Sequence, residues 1–248
     1  HLRTRRQRQM CIRDSLYCTH LAAESNTLYI GKNNAFLDAT APLGLGVPSM
    51  PRTGFGVVAR DFNRDGREDL LVGNGRVTRG PEVVLPSLGD PWNGMAEPND
   101  LYLRSGSGFE LAPKDPVLSE VGLTRAVVAG DFDRQGQLEV LIVNVETPSI
   151  LVTPPKSDAR ELFVEAVDQA GHPVLHALIF CQTGERIQRR RQGISDGYAS
   201  AQPPEVHFGL AASQAPAAIT VQWPDGTQDV FQVEPRTTRF QAQKGSGR

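Results

Sequence analysis

The 248-residue sequence is poor in cysteine, in aromatic residues and in net charge, and it has no long apolar run. Each shortage excludes something. Three cysteines (Cys11, Cys18, Cys181) show no CxxC-type spacing, and an odd number cannot pair completely within one chain. No thiolate zinc cluster is expected, and the spacing leaves the disulfide state of Cys18 and Cys181 open. A formal charge of −2 argues against a dedicated nucleic-acid or membrane-surface protein. No stretch approaches the roughly 18 apolar residues of a membrane span. Also missing are a nucleophile elbow, a phosphate-binding glycine loop and a zinc-protease motif.

What remains is strand and turn. With 24 Gly and 18 Pro set around short Val/Ile/Leu runs, the composition points to an all-β chain. The opening "HLRTRRQRQMCIRDS" (1–15) is arginine-rich, lacks an initiator methionine and has no strand or helix period. No apolar core of a signal peptide follows it. "QMCIRDS" resembles sequencing adapter read through in translation. Residues 1–20 are therefore expected to be a non-native or disordered segment, and the chain a fragment.

Beyond this segment the sequence repeats. "NTLYIGKNNAFLDAT" (26–40) aligns with "NDLYLRSGSGFELAP" (99–113), and "GFGVVARDFNRDGREDLLVGN" (54–74) with "LTRAVVAGDFDRQGQLEVLIVN" (123–144). "PSILVTPP" (148–155) can open a third, partial unit. Each unit reads strand, turn, strand, acidic loop, strand, with no room for flanking helices. Repeats of several short strands rich in glycine are the sequence form of β-propeller blades. The Pro/Gly-dense stretch 76–99 has no counterpart in the second unit and reads as an inserted surface loop.

The acidic loops carry the chemistry. Asp61, Asn63, Asp65 and Asp69 stand at loop positions 1, 3, 5 and 9, with Gly66 at 6 and the Arg67 carbonyl available at 7. Alternating hard-oxygen ligands with a glycine at the sharp bend describe a calcium loop. Position 12 is Val72 within a strand, so the frame is not an EF-hand. The alternative is a metal-free turn rich in Asx bonds. Such a turn leaves three carboxylates repelling each other with no cation to offset them. The second loop keeps Asp131, Asp133 and Gly136, with Gln135 at position 5, the Gln137 carbonyl at 7 and Glu139 at 9. A neutral amide at 5 and a longer acid at 9 lead to the expectation of weaker or absent binding there.

The two units resemble FG-GAP/VCBS repeats, the calcium-loop blades of integrin-type and related bacterial propellers. That resemblance covers roughly residues 26–150. It implies Ca²⁺ as the only cofactor, structural ligands in the loops and no catalytic residue. A complete propeller needs about four to eight blades, and two to three fit here.

After "TPPKSDAR" the loops stop repeating. "ELFVEAV", "PVLHALIFCQ", "AAITVQW" and "DVFQV" read as strands of a small β-sandwich-like module, and "WPDG" (223–226) as a turn. "DGYASAQPPEVHFGLA" (196–211) followed by "ITVQWPDG" resembles the ASPIC/UnbV domain, which sits behind such repeats in the cartilage acidic protein-like family. The organisation expected is therefore 1–20 non-native, 21–155 partial propeller and 156–245 ASPIC/UnbV module, the last able to fold alone.

Three further features have plain readings. His172 and His176 lie on a strand or turn beside Pro173, unsuited to a helical zinc pair. "RIQRRRQG" (186–193) reads as a solvated strand edge. His207 reads as a packed, hydrogen-bonded core histidine. Together the resemblances imply a non-enzymatic, calcium-binding extracellular or cell-envelope protein, an adhesion or interaction scaffold for a protein or carbohydrate ligand. The alternatives are an accessory protein or enzyme of a biosynthetic pathway, and a carbohydrate-binding surface module.

Overall fold

The computed structural model describes residues 15–81, 88–106, 108–113, 118–119, 121–154, 158–194, 197–211 and 218–248. Strands dominate. Among the described residues the helical content is one four-residue turn, α1 (Gly46–Ser49), and one short 3₁₀ turn at Trp92–Gly94.

The first half is a series of antiparallel meanders. β1 (Leu16–Cys18), β2 (Thr27–Lys32) and β3 (Ala35–Asp38) form a three-stranded sheet. β4 (Gly54–Arg60) and β5 (Asp69–Asn74) follow, with the first acidic loop between them. A short β6 (Glu97–Pro98) leads into β7 (Asp100–Ser105) and β8 (Gly108–Leu111), giving the order β4-β5-β7-β8. β9 (Val121–Gly122) pairs back onto β6. β10 (Thr124–Gly130) and β11 (Glu139–Asn144) then repeat the β4–β5 pairing around the second loop. β12 (Ile150–Val152) adds to β11 as β7 adds to β5, so the strand expected in "PSILVTPP" is present. β10 lies directly beside β4: a Cβ on Gly56 would come 2.8 Å from the Val127 nitrogen, so the close approach requires glycine.

Two expectations need amendment here. The N-terminal arm was expected to extend to residue 20. Residues 1–14 lie outside the described set, but Leu16–Cys18 pairs with Tyr29–Thr27 because Leu-Tyr-Cys offers a short alternating strand to an open sheet edge. The insert 76–99, described except for 82–87, is not wholly superficial. Glu97 is buried, accepting from the Thr53 N–H at 2.8 Å and pairing with Arg76. Leu88 and Ala96 pack with Leu123.

The C-terminal module comprises β13 (Arg160–Val167), β14 (Leu178–Thr183), β15 (Arg186–Arg191), β16 (Val206–Leu210), β17 (Ala218–Gln222), β18 (Gln228–Phe231) and β19 (Arg239–Gln243). Two sheets, β16-β13-β19 and β15-β14-β17-β18, enclose one apolar core. The boundary expected at 155/156 falls at residues 155–157, outside the described set. Cys18 and Cys181 are both free, the latter within the module core.

Period-2 alternation explains how the module sits on the repeats. Leu162, Val164 and Ala166 of β13, with Val206, Phe208 and Leu210 of β16, point into the module core. The opposite face carries Glu161, Phe163, His207 and Gly209 onto the repeats. Phe163 belongs to the repeat core, with Val58, Phe62, Val127 and Leu138. Nearby, Gln202 acts as a surrogate strand for the edge of β10: its Oε1 accepts from the Ala129 N–H at 3.0 Å and its Nε2 donates to the Val127 carbonyl at 2.9 Å. Tyr198 meets Phe55 edge-on, with ring centroids 5.1 Å apart. The module core is its own, but β13 and β16 are covered on both faces.

Candidate metal centre

Both acidic loops fold by the same local device. The first residue of each caps its own turn: Asp61 Oδ2 accepts from the Gly66 N–H at 2.7 Å, and Asp131 Oδ2 from the Gly136 N–H at 3.0 Å. Position 9 closes each loop, Asp69 Oδ2 accepting from the Phe62 N–H at 2.9 Å and Glu139 Oε2 from the Phe132 N–H at 3.0 Å. Gly66 and Gly136 take φ of +85° and +79°, and Arg64 and Arg134 both take +61°, so each chain reverses through two left-handed residues.

In the first loop the remaining oxygens are largely spoken for. Asp61 Oδ1 accepts from the Asp65 N–H at 3.0 Å, and Asp69 Oδ1 from the Arg104 N–H of β7 at 2.7 Å. Asp65 is turned onto Arg67, with Nη2 at 2.9 Å, and Asn63 Oδ1 accepts from the Asp65 N–H at 3.0 Å. Asp61 and Asp69 are buried, and burial pushes their carboxyls up to about 7 and about 6. Burial also acts on Asp65, but its bonds to Arg67 win and hold it below the usual range.

In the second loop the acids converge. Asp131, Asp133 and Glu139 each present a carboxylate oxygen within 4.8 Å of the others, the one such group of three among the described residues. The Asp131 side chain is fully buried, and its Oδ1 has no hydrogen-bond partner. A buried carboxylate oxygen without a donor calls for a cation or a water. The donor set is all oxygen and hard, as calcium requires. Gln135 lies in the same turn, its N–H donating to Asp133 Oδ1 at 2.9 Å.

The module surrounds both loops with charge that sequence reading did not connect to them. Glu161 Oε1 takes the Arg64 Nε in a short buried ion pair, and its Oε2 accepts from the Leu138 N–H at 2.5 Å. Arg239 Nη1 reaches Asp131 Oδ2 at 2.5 Å, and its Nη2 reaches Glu205 Oε2 at 2.6 Å. Glu205 Oε1 accepts from the Asp131 N–H at 3.0 Å. Arg186 donates to the Asp65 carbonyl at 2.5 Å, and Arg190 Nε lies 3.2 Å from Glu68. The basic run 186–191 is therefore partly an interface strand, not simply a solvated edge. The available signal was the alternation of β13 and β16, which puts Glu161 and Gly209 opposite apolar neighbours. A Cβ on Gly209 would lie 2.0 Å from Asp61 Oδ2.

His207 is buried and stacked on Phe163 at 5.0 Å, as a core residue. Its Nε2 faces Glu161 Oε2 at 3.3 Å, outside strict hydrogen-bond geometry, and its Nδ1 has no hydrogen-bond partner. Burial lowers its pKa. Burial works against the Glu161 charge, yet His207 and Arg64 keep its carboxyl below the usual range. His172 and His176 go separate ways, to Asp168 at 3.5 Å and Arg191 at 2.7 Å.

Residues 169–248 match the family described as ASPIC and UnbV. The chain is also similar to cartilage acidic protein 1. It is 31% identical to the Mus musculus protein and 30% identical to the Homo sapiens protein, over 149 residues in each case. The aligned part is 59% of this chain and 19% and 18% of those proteins, so the chain spans about a fifth of the relatives it matches.

Proposed function

We propose that this chain is part of a non-catalytic, calcium-stabilised scaffold of the extracellular space or cell envelope, in which FG-GAP-type blades carry an ASPIC/UnbV module. The meander β4-β5-β7-β8, followed by β10-β11-β12 laid beside it, supports the reading of successive propeller blades. The observation that carries the cation is the convergence of Asp131, Asp133 and Glu139 around a buried oxygen with no donor.

Asp131, Asp133, the Gln135 side-chain carbonyl, the Gln137 backbone carbonyl and Glu139 would hold the ion in the second loop. Asp61, Asn63, Asp65, the Arg67 carbonyl and Asp69 would hold it in the first. A bound Ca²⁺ would supply positive charge where the loop carboxylates converge. The residues themselves hold a turn between two strands, so the role is to brace the fold. A protein or carbohydrate ligand at the cell surface would then meet the scaffold's outer faces. Calorimetric titration of chelator-treated protein with CaCl₂ tests the reading: binding with Kd of about 10⁻⁴ to 10⁻³ M is expected, as for extracellular calcium modules. No binding up to ten times the weaker value would overturn it.

A further inference from the structure

We infer that the calcium site of the second loop is completed by the C-terminal module, with Glu161 as the positioning residue for its backbone ligand. The inference rests on the calcium reading above and adds to it the control of ligand geometry by another part of the chain.

The peptide unit joining Gln137 to Leu138 is planar, and in the trans form its C=O and N–H point in opposite directions. The Leu138 N–H donates to Glu161 Oε2 at 2.5 Å. Fixing that N–H on one side fixes the Gln137 carbonyl, the position-7 ligand, on the other. A carboxylate acceptor also polarises the amide, making the carbonyl oxygen a better donor to a cation. Glu161 is itself held in place: Oε1 is paired with Arg64 of the first loop, and the side chain is 4% exposed. Two more module residues orient the first ligand, Glu205 at the Asp131 N–H and Arg239 at Asp131 Oδ2. The outer partners of the second loop thus come from β13, the approach to β16 and β19. Such outer-shell partners commonly control metal affinity 10- to 100-fold.

The same carboxylate grips residues of both loops, so it links them. Arg64 sits at position 4 of the first loop and Leu138 at position 8 of the second. Repositioning of Arg64 when the first loop closes on a cation would be felt at the Gln137 carbonyl through Glu161.

The test is calcium titration by calorimetry in an Asp61→Asn background, where the isotherm reports the second loop. Glu161→Ala is expected to weaken that site roughly 10- to 100-fold. Glu161→Gln, whose carbonyl oxygen can still accept from Leu138, should restore the affinity to within about threefold of the Asp61→Asn parent. Circular dichroism of each protein in chelator establishes that the fold is kept. If Glu161→Ala does not fold, Glu161→Leu with Arg64→Met removes both buried charges while retaining apolar volume, and the same weakening is expected. Unchanged affinity in folded Glu161→Ala, or in the folded Glu161→Leu/Arg64→Met variant, would overturn the inference and leave the calcium reading standing. So would a Glu161→Gln protein as weak as Glu161→Ala. Absence of calcium binding by the Asp61→Asn parent would overturn the calcium reading of this loop, and the inference with it.

Discussion

The two acidic loops share a backbone path but differ in who completes them. The first is closed largely from within its own sheet, by Arg67 on Asp65 and by the Arg104 N–H of β7 on Asp69. The second leaves Asp131 Oδ1 open and gathers three acids, while Glu161, Glu205 and Arg239 of the distant module fix its frame. Ligand types alone favour the first loop. If the loops bind a cation as proposed, preorganisation would favour the second, because its carboxylates already converge while Asp65 of the first would have to leave an arginine to coordinate. On the calcium reading proposed above, what such a loop binds would depend on which neighbours hold its unused oxygens and its backbone.

The sharpest way to break this comparison is at the shared anchor. Arg64→Ala strands Glu161 and His207 in the interface with one buried charge unpaired. Removing one partner of a buried ion pair costs about 3–5 kcal/mol, and urea denaturation should show a loss of that order. A loss below about 1 kcal/mol would mean that the loops are not locked to the module through this pair.

Next in size is Gly209→Ala, which drives a methyl against Asp61. Overpacking of this kind costs about 1–3 kcal/mol. The penalty should fall on the first loop, because Gly209 stands over Asp61 whereas the second loop meets Thr238 at Gly136. Thermal melts of the variant would contradict the placement if Tm were unchanged.

Acidity offers a further test of the first loop. Burial holds Asp61 at about 7 and Asp69 at about 6, above the roughly 3.9 of an unfolded aspartate. Between about pH 4 and 7 the cation-free folded protein binds more protons than the unfolded chain, so its stability should fall as pH rises through that window. A cation favours the charged carboxylates. The gain in Tm on adding calcium should therefore be larger at pH 8 than at pH 5. A gain that is flat with pH, or larger at pH 5, would show that Asp61 and Asp69 do not face the ion.

Much of the fold was legible because local patterns suffice for it. β4, β5, β10 and β11 stand where the β-branched runs around each loop put them, and the WPDG turn forms with Gly226 at φ +88°. The docking of the module was not legible. Arg64 and Glu161 lie 97 residues apart, and nothing local marks either as half of a buried pair. The same holds for "RIQRRRQG", whose arginines read as solvated until Arg186 and Arg190 are seen against Asp65 and Glu68. The module was expected to fold alone because it has its own turns and core. Its β16-β13-β19 sheet buries Phe163 and His207 against the repeats, so isolation would expose both. For the loops, spacing named the candidate ligands, of which the structure gathers Asp131, Asp133 and Glu139. Spacing could not rank them, because the deciding groups belong to strands β13, β16 and β19 and their approaches.

The most direct test is calcium titration of the full chain carrying Asp61→Asn or Asp131→Asn. At free calcium near 2 mM and Kd near 10⁻⁴ M, one occupied site stabilises the fold by roughly 1.8 kcal/mol. Asp131→Asn is expected to remove the tighter isotherm and most of that stabilisation, while Asp61→Asn leaves the tighter isotherm in place. Loss of the tighter site in Asp61→Asn, with Asp131→Asn nearly silent, is what ligand types alone would give. That result would contradict the claim that the module makes the second loop the better cation site.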